Sequence, residues 1–119
     1  MLTCFFVDTA PVVTEYVDAI HKLLRPGGVW INLGPLLYHW STRDADESND
    51  ERFARAMEFS YEEVRALIAS SGFAIEQEQW VQCMYTENQA SMMHTQYECA
   101  FFTAVKAAAT TDSEAAGST

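Results

Sequence analysis

Apolar residues in the first third of the chain follow the periods of a strand, a helix and a second strand. Residues 1–7 form a continuous apolar run, which favours a strand buried on both faces of a parallel sheet. Residues 11–24 carry apolar positions at helical spacing, with Pro11 in the first turn, and residues 29–33 form a second apolar run. A helix that connects two such strands predicts a crossover that makes the strands parallel.

The rest of the chain predicts one more helix and two more strands. Ser60 and Glu63 have the spacing of a capping box, and the apolar stripe behind them ends at Gly72. Residues 73–81 alternate between apolar and polar as a half-exposed strand does, and residues 97–105 form the last apolar run. The order β, α, β, α, β, β is that of half a doubly wound α/β sheet with a final antiparallel strand. We therefore expect the C-terminal portion of a larger domain.

The expected domain covers residues 1–106, and residues 107–119 are expected to be a disordered tail of small residues. Residues 41–58 are polar and contain a cluster of acidic side chains, which a solvated loop or an exposed helix face explains without any chemistry. The first strand is predicted to have one unpaired apolar edge. We therefore expect the isolated chain to form a homodimer or to aggregate.

Composition and charge exclude several classes of protein. The 119 residues are 49% hydrophobic and 13% aromatic, which is enough for a packed core. The formal net charge of −10 repels phosphate backbones and anionic lipids, so we expect neither nucleic acid nor a membrane as a partner. No apolar run approaches the roughly 18 residues that cross a bilayer, and the start lacks a basic leader. We expect a cytoplasmic location, with the nucleus as a second compartment.

The cysteine and glycine positions argue against metal and phosphate sites. Cys4, Cys83 and Cys99 lack the spacing of a metal site, so we expect no metal and buried free thiols. The five glycines include no G-x-G pattern, so we expect no phosphate-binding loop of the dinucleotide type. Met92 and Met93 are predicted to fill gaps in the core.

Four residues far apart in sequence are expected at one edge of the predicted sheet, where ligands of open parallel sheets bind. Asp8 follows the first strand and His39 follows the second. Tyr85 follows the third strand, if that strand runs in the same direction, and Tyr97 begins the last one. Each also has a simpler explanation: a helix cap for the aspartate, a packed loop residue for the histidine and core packing for the tyrosines.

Several segments of the chain resemble the C-terminal half of the carnosine N-methyltransferase family. In order, they are TCFFVDTA, LLRPGGVWINLGPLLYHW, FSYEEV, SGF and MYTENQASMMHTQYEC. The resemblance spans about residues 3–106. It implies a Rossmann-like class I methyltransferase fold and S-adenosyl-L-methionine as the cofactor. It also implies that the glycine-rich cofactor loop and the acidic residue that holds the ribose precede Met1.

The resemblance further implies a reaction and roles for the four candidate residues. The family methylates an imidazole nitrogen of carnosine, β-alanyl-histidine, to give anserine. Its substrate-binding aspartate, histidine and two tyrosines match Asp8, His39, Tyr85 and Tyr97, whereas a further family tyrosine is replaced by Thr95. A carboxylate that accepts the other ring N–H fixes the imidazole tautomer and stabilises the developing imidazolium, which is the catalytic role expected of Asp8. The histidine and tyrosines are expected to hold the ring and the dipeptide.

Two other functions stay open at this point. The chain could belong to a methyltransferase for another small histidine derivative, because Thr95 departs from the family pattern. It could also be a catalytically inactive fragment that acts as an interaction module, because no cofactor-binding residue is identified in it. Binding of S-adenosyl-L-methionine would separate an enzyme from such a module.

Overall fold

The computed structural model describes residues 1–41 and 50–108, which form one mixed sheet with helices packed against it. The predicted tail lies outside the described residues, except for residues 107–108, as do the acidic positions within 42–49. Within the described ranges, no helix is long and apolar enough to cross a membrane. The elements in chain order are β1 (Leu2–Cys4), a 3-10 helix (Val7–Thr9), α1 (Val13–Leu23), β2 (Val29–Gly34), α2 (Glu51–Arg55), α3 (Tyr61–Ser70), β3 (Phe73–Met84) and β4 (Gln96–Lys106).

The strand directions bring four chain segments to one edge of the sheet. The strand order is β1-β2-β4-β3, with β1 parallel to β2 and β4 antiparallel to both of its neighbours. The first three strands of the chain therefore point the same way, as predicted. Their carboxyl ends and the start of β4 lie in one row. This row of strand ends is the edge where ligands of such sheets bind, and it is distinct from the unpaired side of β1.

The core lies between the sheet and helices α1 and α3, and Trp30 on β2 is at its centre. This side chain is only 1% exposed, and its ring lies 4.9 Å from that of Phe102 and 5.6 Å from that of Phe73, measured between centroids. Aromatic contacts of this kind stabilise a core beyond the area that they bury. The same buried cluster contains Val7, Val13, Val17, Ile20, Val64, Ile68 and Ala104.

A buried chain of hydrogen bonds joins three strands inside this core. The Trp30 indole N–H donates to the Thr3 hydroxyl at 2.8 Å, and that hydroxyl donates to Asn32 Oδ1 at 2.7 Å. The Asn32 amide then donates to the carbonyl of Ala100 at 3.2 Å. Because every polar side-chain atom of this network has a partner, its hydrogen bonds offset the desolvation cost of burying these side chains in the core.

The first strand differs from the sequence-based prediction. Residues 1–7 were expected to be one strand buried on both faces, but β1 ends at Cys4, and Phe5 bends the chain with a φ of +52°. Leu2 is 70% exposed and Thr3 alone is buried in β1. The described helices cover the face of the sheet that carries Thr3 and Trp30, whereas Leu2 and Ile31 on the opposite face are exposed. The described residues place no strand beside the outer edge of β1, and self-association there stays a prediction.

The packing of the cysteines and methionines was also predicted incorrectly. All three thiols are free, but only Cys99 is buried; Cys4 is exposed and Cys83 is half-buried. Burial, together with a hydrogen bond to Cys83, raises the pKa of the Cys99 thiol to about 12. Met92 and Met93 are exposed in the loop between β3 and β4. This loop extends beyond the sheet because β2 pairs only with residues 100–105 of β4, so no core surrounds it.

The helix ends follow the local sequence signals. Ser60 and Glu63 form the predicted capping box, with the Ser60 hydroxyl accepting from the Glu63 amide at 3.2 Å. Helix α1 begins at Val13, two residues after Pro11. Its last turn is held by the Lys106 ammonium, which donates to the His21 and Leu24 carbonyls at 2.6 and 2.9 Å. A cation at this end of a helix satisfies free carbonyls and offsets the helix dipole.

We expect Gly72→Ala to destabilise the protein more than Gly27→Ala. Both glycines have a left-handed φ, +95° and +81°, which costs a non-glycine residue about 1–2 kcal/mol. A Cβ at Gly72 would lie 2.8 Å from His21 Nε2, whereas a Cβ at Gly27 would meet nothing within 4 Å. Urea unfolding of the two variants measures the difference. Equal losses would show that the His21 ring moves aside at no cost.

Candidate functional site

The four residues named from the sequence line one cavity at the predicted edge of the sheet. This cavity, called the edge cavity below, has a volume of about 100 Å³. Asp8, His39, Tyr85 and Tyr97 all contribute to its wall, and the other lining residues are Phe5, Pro35 and Leu37. The convergence expected from topology is therefore confirmed, whereas the chemical roles of these residues stay predictions.

Asp8 is a buried carboxylate that does not cap the following helix. It lies on the 3-10 helix and is 2% exposed. Its Oδ2 accepts a hydrogen bond from the backbone N–H of Leu37 at 2.9 Å, while α1 begins after Val12 without any side-chain cap. The simpler explanation of Asp8 as a helix cap is therefore wrong. Its Oδ1 makes no hydrogen bond within the described part of the chain, so this oxygen is left for a ligand.

His39 is held against the backbone of Asp8. Its amide donates to the Asp8 carbonyl at 3.0 Å, and its ring Nδ1 lies 3.1 Å from the same oxygen and 3.9 Å from Asp8 Oδ1. A carbonyl oxygen can only accept, so this contact requires a proton on Nδ1 and leaves Nε2 as the acceptor of a neutral ring. His39 can therefore offer a hydrogen-bond acceptor beside a buried carboxylate.

Three aromatic rings in the wall of the edge cavity contact one another. The ring of Phe5 lies 4.9 Å from that of Tyr85 and 5.7 Å from that of Tyr97, and the two tyrosine rings are 6.0 Å apart. Aromatic rings next to a carboxylate favour a flat ring or a cation, through stacking and through the negative ring faces. Phe5 was not predicted as a site residue, because the sequence placed it inside a strand of residues 1–7 and gave no sign that β1 ends at Cys4.

A further hydrogen bond joins the loop after β2 to the 3-10 helix. The Trp40 indole N–H donates to the carbonyl of Thr9 at 2.8 Å, next to the bonds that Leu37 and His39 make to Asp8. These contacts join the ends of two parallel strands and fix the floor of the edge cavity. The Leu37 amide was missed in the sequence because every residue but proline has such a group.

Thr95, the departure from the family pattern, does not line the edge cavity. Its side chain is exposed and lines a neighbouring concavity of about 230 Å³ in the loop between β3 and β4. Tyr85 borders both spaces, and its amide donates to the Thr95 carbonyl at 3.4 Å. The substitution therefore changes the surroundings of the site rather than its inner wall.

No group of three His, Cys, Asp or Glu side chains in residues 1–41 and 50–108 could hold a metal ion. The cavity chemistry visible in this part of the chain consists of a carboxylate, an imidazole, two phenols and backbone amides. Such groups can orient a small polar ring and stabilise positive charge on it.

Relatives of known name match most of the chain. A protein from Dictyostelium discoideum named carnosine N-methyltransferase is 43% identical over 103 residues, which are 87% of this chain and 20% of that protein. The Rattus norvegicus protein of the same name is 45% identical over 101 residues, 84% of this chain and 23% of that protein. The chain thus spans about a fifth to a quarter of the length of these curated relatives.

A solved structure shares the fold, and a family model matches the sequence. The structure, described as "Conversion of a Disulfide Bond into a Thioacetal Group during Echinomycin Biosynthesis", superposes with a TM-score of 0.59 at 16% identity over 98% of this chain and 52% of that one. At this identity the similarity concerns the fold alone. The sequence model of carnosine N-methyltransferase matches residues 1–108. On this match and the identities above, the chain belongs to the carnosine N-methyltransferase family.

Proposed function

We propose that this protein is an S-adenosyl-L-methionine-dependent N-methyltransferase that methylates an imidazole nitrogen of carnosine to give anserine. We further propose that its mixed sheet is the C-terminal half of a Rossmann-like class I methyltransferase domain. Membership of the family supports the class of reaction. The observation that carries the proposal is the edge cavity, whose wall combines the buried carboxylate of Asp8 with three aromatic rings.

The size of the cavity favours an imidazole as the group that enters it. A space of about 100 Å³ suits a single flat ring better than a whole dipeptide. The concavity at the β3–β4 loop and a groove of about 430 Å³ that shares Leu37 and Tyr97 adjoin it. The remainder of carnosine would lie in one of these spaces. The partner is accordingly a small imidazole compound.

The chemistry needs one protein group to act on the imidazole. A neutral ring nitrogen would attack the methyl carbon in line with the methyl–sulfur bond, which breaks and leaves its electron pair on the sulfur as a thioether, and the ring becomes an imidazolium. The imidazolium then loses the proton of its other ring nitrogen to Asp8 or to water, which gives the neutral methylated ring. Asp8 Oδ1 would accept the N–H of the other ring nitrogen, which leaves the lone pair on the attacking nitrogen and stabilises the positive charge that develops. The aromatic wall of Phe5, Tyr85 and Tyr97 stabilises the same charge.

The cofactor, when bound, supplies a methyl group activated on a sulfonium. Its methyl-donating end would lie near the carboxyl end of β1, because ligands of open parallel sheets bind outside the carboxyl ends of the strands. The five glycines of the chain include no G-x-G pattern for the nucleoside end. We therefore assign no residue of this chain to that end of the cofactor.

Two alternatives stay open. Thr95, in the concavity next to Tyr85, supports a methyltransferase for a different small histidine derivative. The other alternative is an inactive interaction module, which the absence of any methylated product would favour.

A methylation assay tests the proposal and separates it from both alternatives. The protein produced from its complete coding sequence would be incubated with S-adenosyl-L-methionine and with carnosine, histidine or another imidazole dipeptide, and the products identified by mass spectrometry. We expect anserine from carnosine. A methylated product from another substrate alone supports the second enzyme. If no methylated product forms, both enzymatic functions are contradicted, whether or not the cofactor binds.

A further inference from the structure

We propose that Tyr38 is a positioning residue for the edge cavity: the bond from its buried hydroxyl to the Phe59 carbonyl holds the turn that presents Leu37 and His39 to Asp8. The Tyr38–Phe59 bond holds the turn whatever reaction the protein performs, whereas the effect of that bond on catalysis rests on the proposed function.

The backbone at Tyr38 needs an external support. Its φ of +43° lies in the left-handed region, which a residue other than glycine adopts only at a cost, so surrounding contacts must hold it. Its two neighbours both bind Asp8: the Leu37 amide donates to Oδ2 at 2.9 Å and the His39 amide to the backbone carbonyl at 3.0 Å. A left-handed residue between two amides allows both to point at one residue, here at the side chain and the backbone carbonyl of Asp8.

The side chain of Tyr38 supplies that support. It is only 6% exposed, and its hydroxyl donates to the Phe59 carbonyl at 2.5 Å. Burial raises the pKa of Tyr38, so its hydroxyl stays protonated and can donate. Phe59 packs against the core and directly precedes Ser60, the cap of α3. The turn is thereby fastened to the start of a helix whose own Val64 and Ile68 are buried.

Loss of the Tyr38–Phe59 hydrogen bond would weaken the contacts that Leu37 and His39, the neighbours of Tyr38, make with Asp8. Without the hydroxyl, the left-handed turn loses its anchor and the Phe59 carbonyl loses its partner. The turn can then relax, which moves the Leu37 amide and the His39 ring away from Asp8. A residue that only stabilised the core would lower the resistance to unfolding and leave these contacts unchanged in the folded protein.

The first test measures His39 itself and needs no enzymatic activity. Nitrogen-15 NMR of the histidine rings reports which ring nitrogen carries the proton. We expect His39 to carry it on Nδ1 in the natural protein and to shift toward the Nε2–H form in Tyr38→Phe. Tyr16→Phe is the matched control, since the Tyr16 hydroxyl contacts Thr9 at 3.1 Å and should leave the His39 tautomer unchanged. An unchanged tautomer in Tyr38→Phe overturns the proposal.

The second test is kinetic and uses the protein from its complete coding sequence, below the unfolding temperature of each variant. We expect Tyr38→Phe to lower kcat by about tenfold with a smaller change in KM, and Tyr16→Phe to leave both within about twofold. A lower Tm with unchanged kcat would overturn the catalytic consequence. If the natural protein methylates no imidazole, the proposed function fails, and the tautomer measurement still decides the role of Tyr38.

Discussion

Replacing Asp8 by asparagine should lower kcat for imidazole methylation by at least about a hundredfold, the usual loss when one group that stabilises transition-state charge is removed. The asparagine carbonyl can still accept the Leu37 amide that now binds Oδ2 at 2.9 Å. Its NH₂ group would then replace Oδ1 and present donors where the ring N–H needs an acceptor. The substrate tautomer and the imidazolium would both lose their support. Initial rates at saturating carnosine measure the effect.

The matched control for this experiment is Asp18→Asn. Asp18 is an exposed aspartate on α1, so its replacement removes the same charge without touching the edge cavity. We expect its kcat to equal that of the natural protein. Thermal unfolding of both variants separates lost chemistry from lost structure. Near-normal turnover of folded Asp8→Asn would refute the role of Asp8 in catalysis. Asp8→Ala, which also removes the acceptor for Leu37, should lose at least as much activity.

Trp30→Ala should remove about 3–5 kcal/mol from the free energy of unfolding, the usual cost of truncating a buried tryptophan. Trp30 is 1% exposed and packs between Phe73 and Phe102, so truncation leaves a cavity at the centre of the core. The Thr3 hydroxyl also loses its indole donor. Because small domains are stable by only about 5–15 kcal/mol, this change removes a large part of the total. Urea unfolding followed by circular dichroism measures it.

Trp80→Ala is the control for this prediction, because it removes the same side chain from the surface. Trp80 is 61% exposed and contacts Tyr61 at 5.1 Å between ring centroids. Its truncation should cost about 1 kcal/mol or less. Equal losses from Trp30 and Trp80 would contradict the position of the core described above. Trp30→Phe, which keeps most of the apolar volume, should fall between the two.

Most of the helices and strands were predictable because their signals are local. The capping box of Ser60 and Glu63 and the left-handed Gly72 mark the ends of α3 within a few residues. The crossover from β1 to β2 follows from the apolar periods and from the general geometry of such connections. The length and burial of β1 were predicted incorrectly, because burial depends on which elements cover each face of a sheet rather than on the strand's own residues.

The part of the candidate site that depends on strand order and direction was predictable from the sequence. Parallel strands end at one edge, so Asp8 and His39 could be placed together from their positions after two such strands. Phe5 and the Leu37 amide were not predicted as parts of the wall. The position of the Phe5 ring depends on a left-handed φ directly after β1. The Leu37 amide is a backbone group that every residue but proline possesses.

The amino-acid order alone determined the β-α-β crossover, the parallel direction of the first two strands and the approach of a carboxylate to an imidazole. These features depend on short-range periodicity and on chain connections that have few alternatives. Tertiary structure alone decided that Asp8 binds the Leu37 amide instead of capping α1, and that Tyr38 reaches Phe59. Both hydrogen bonds form only because groups distant in sequence come within about 3 Å of each other, and a local sequence pattern does not predict such distances.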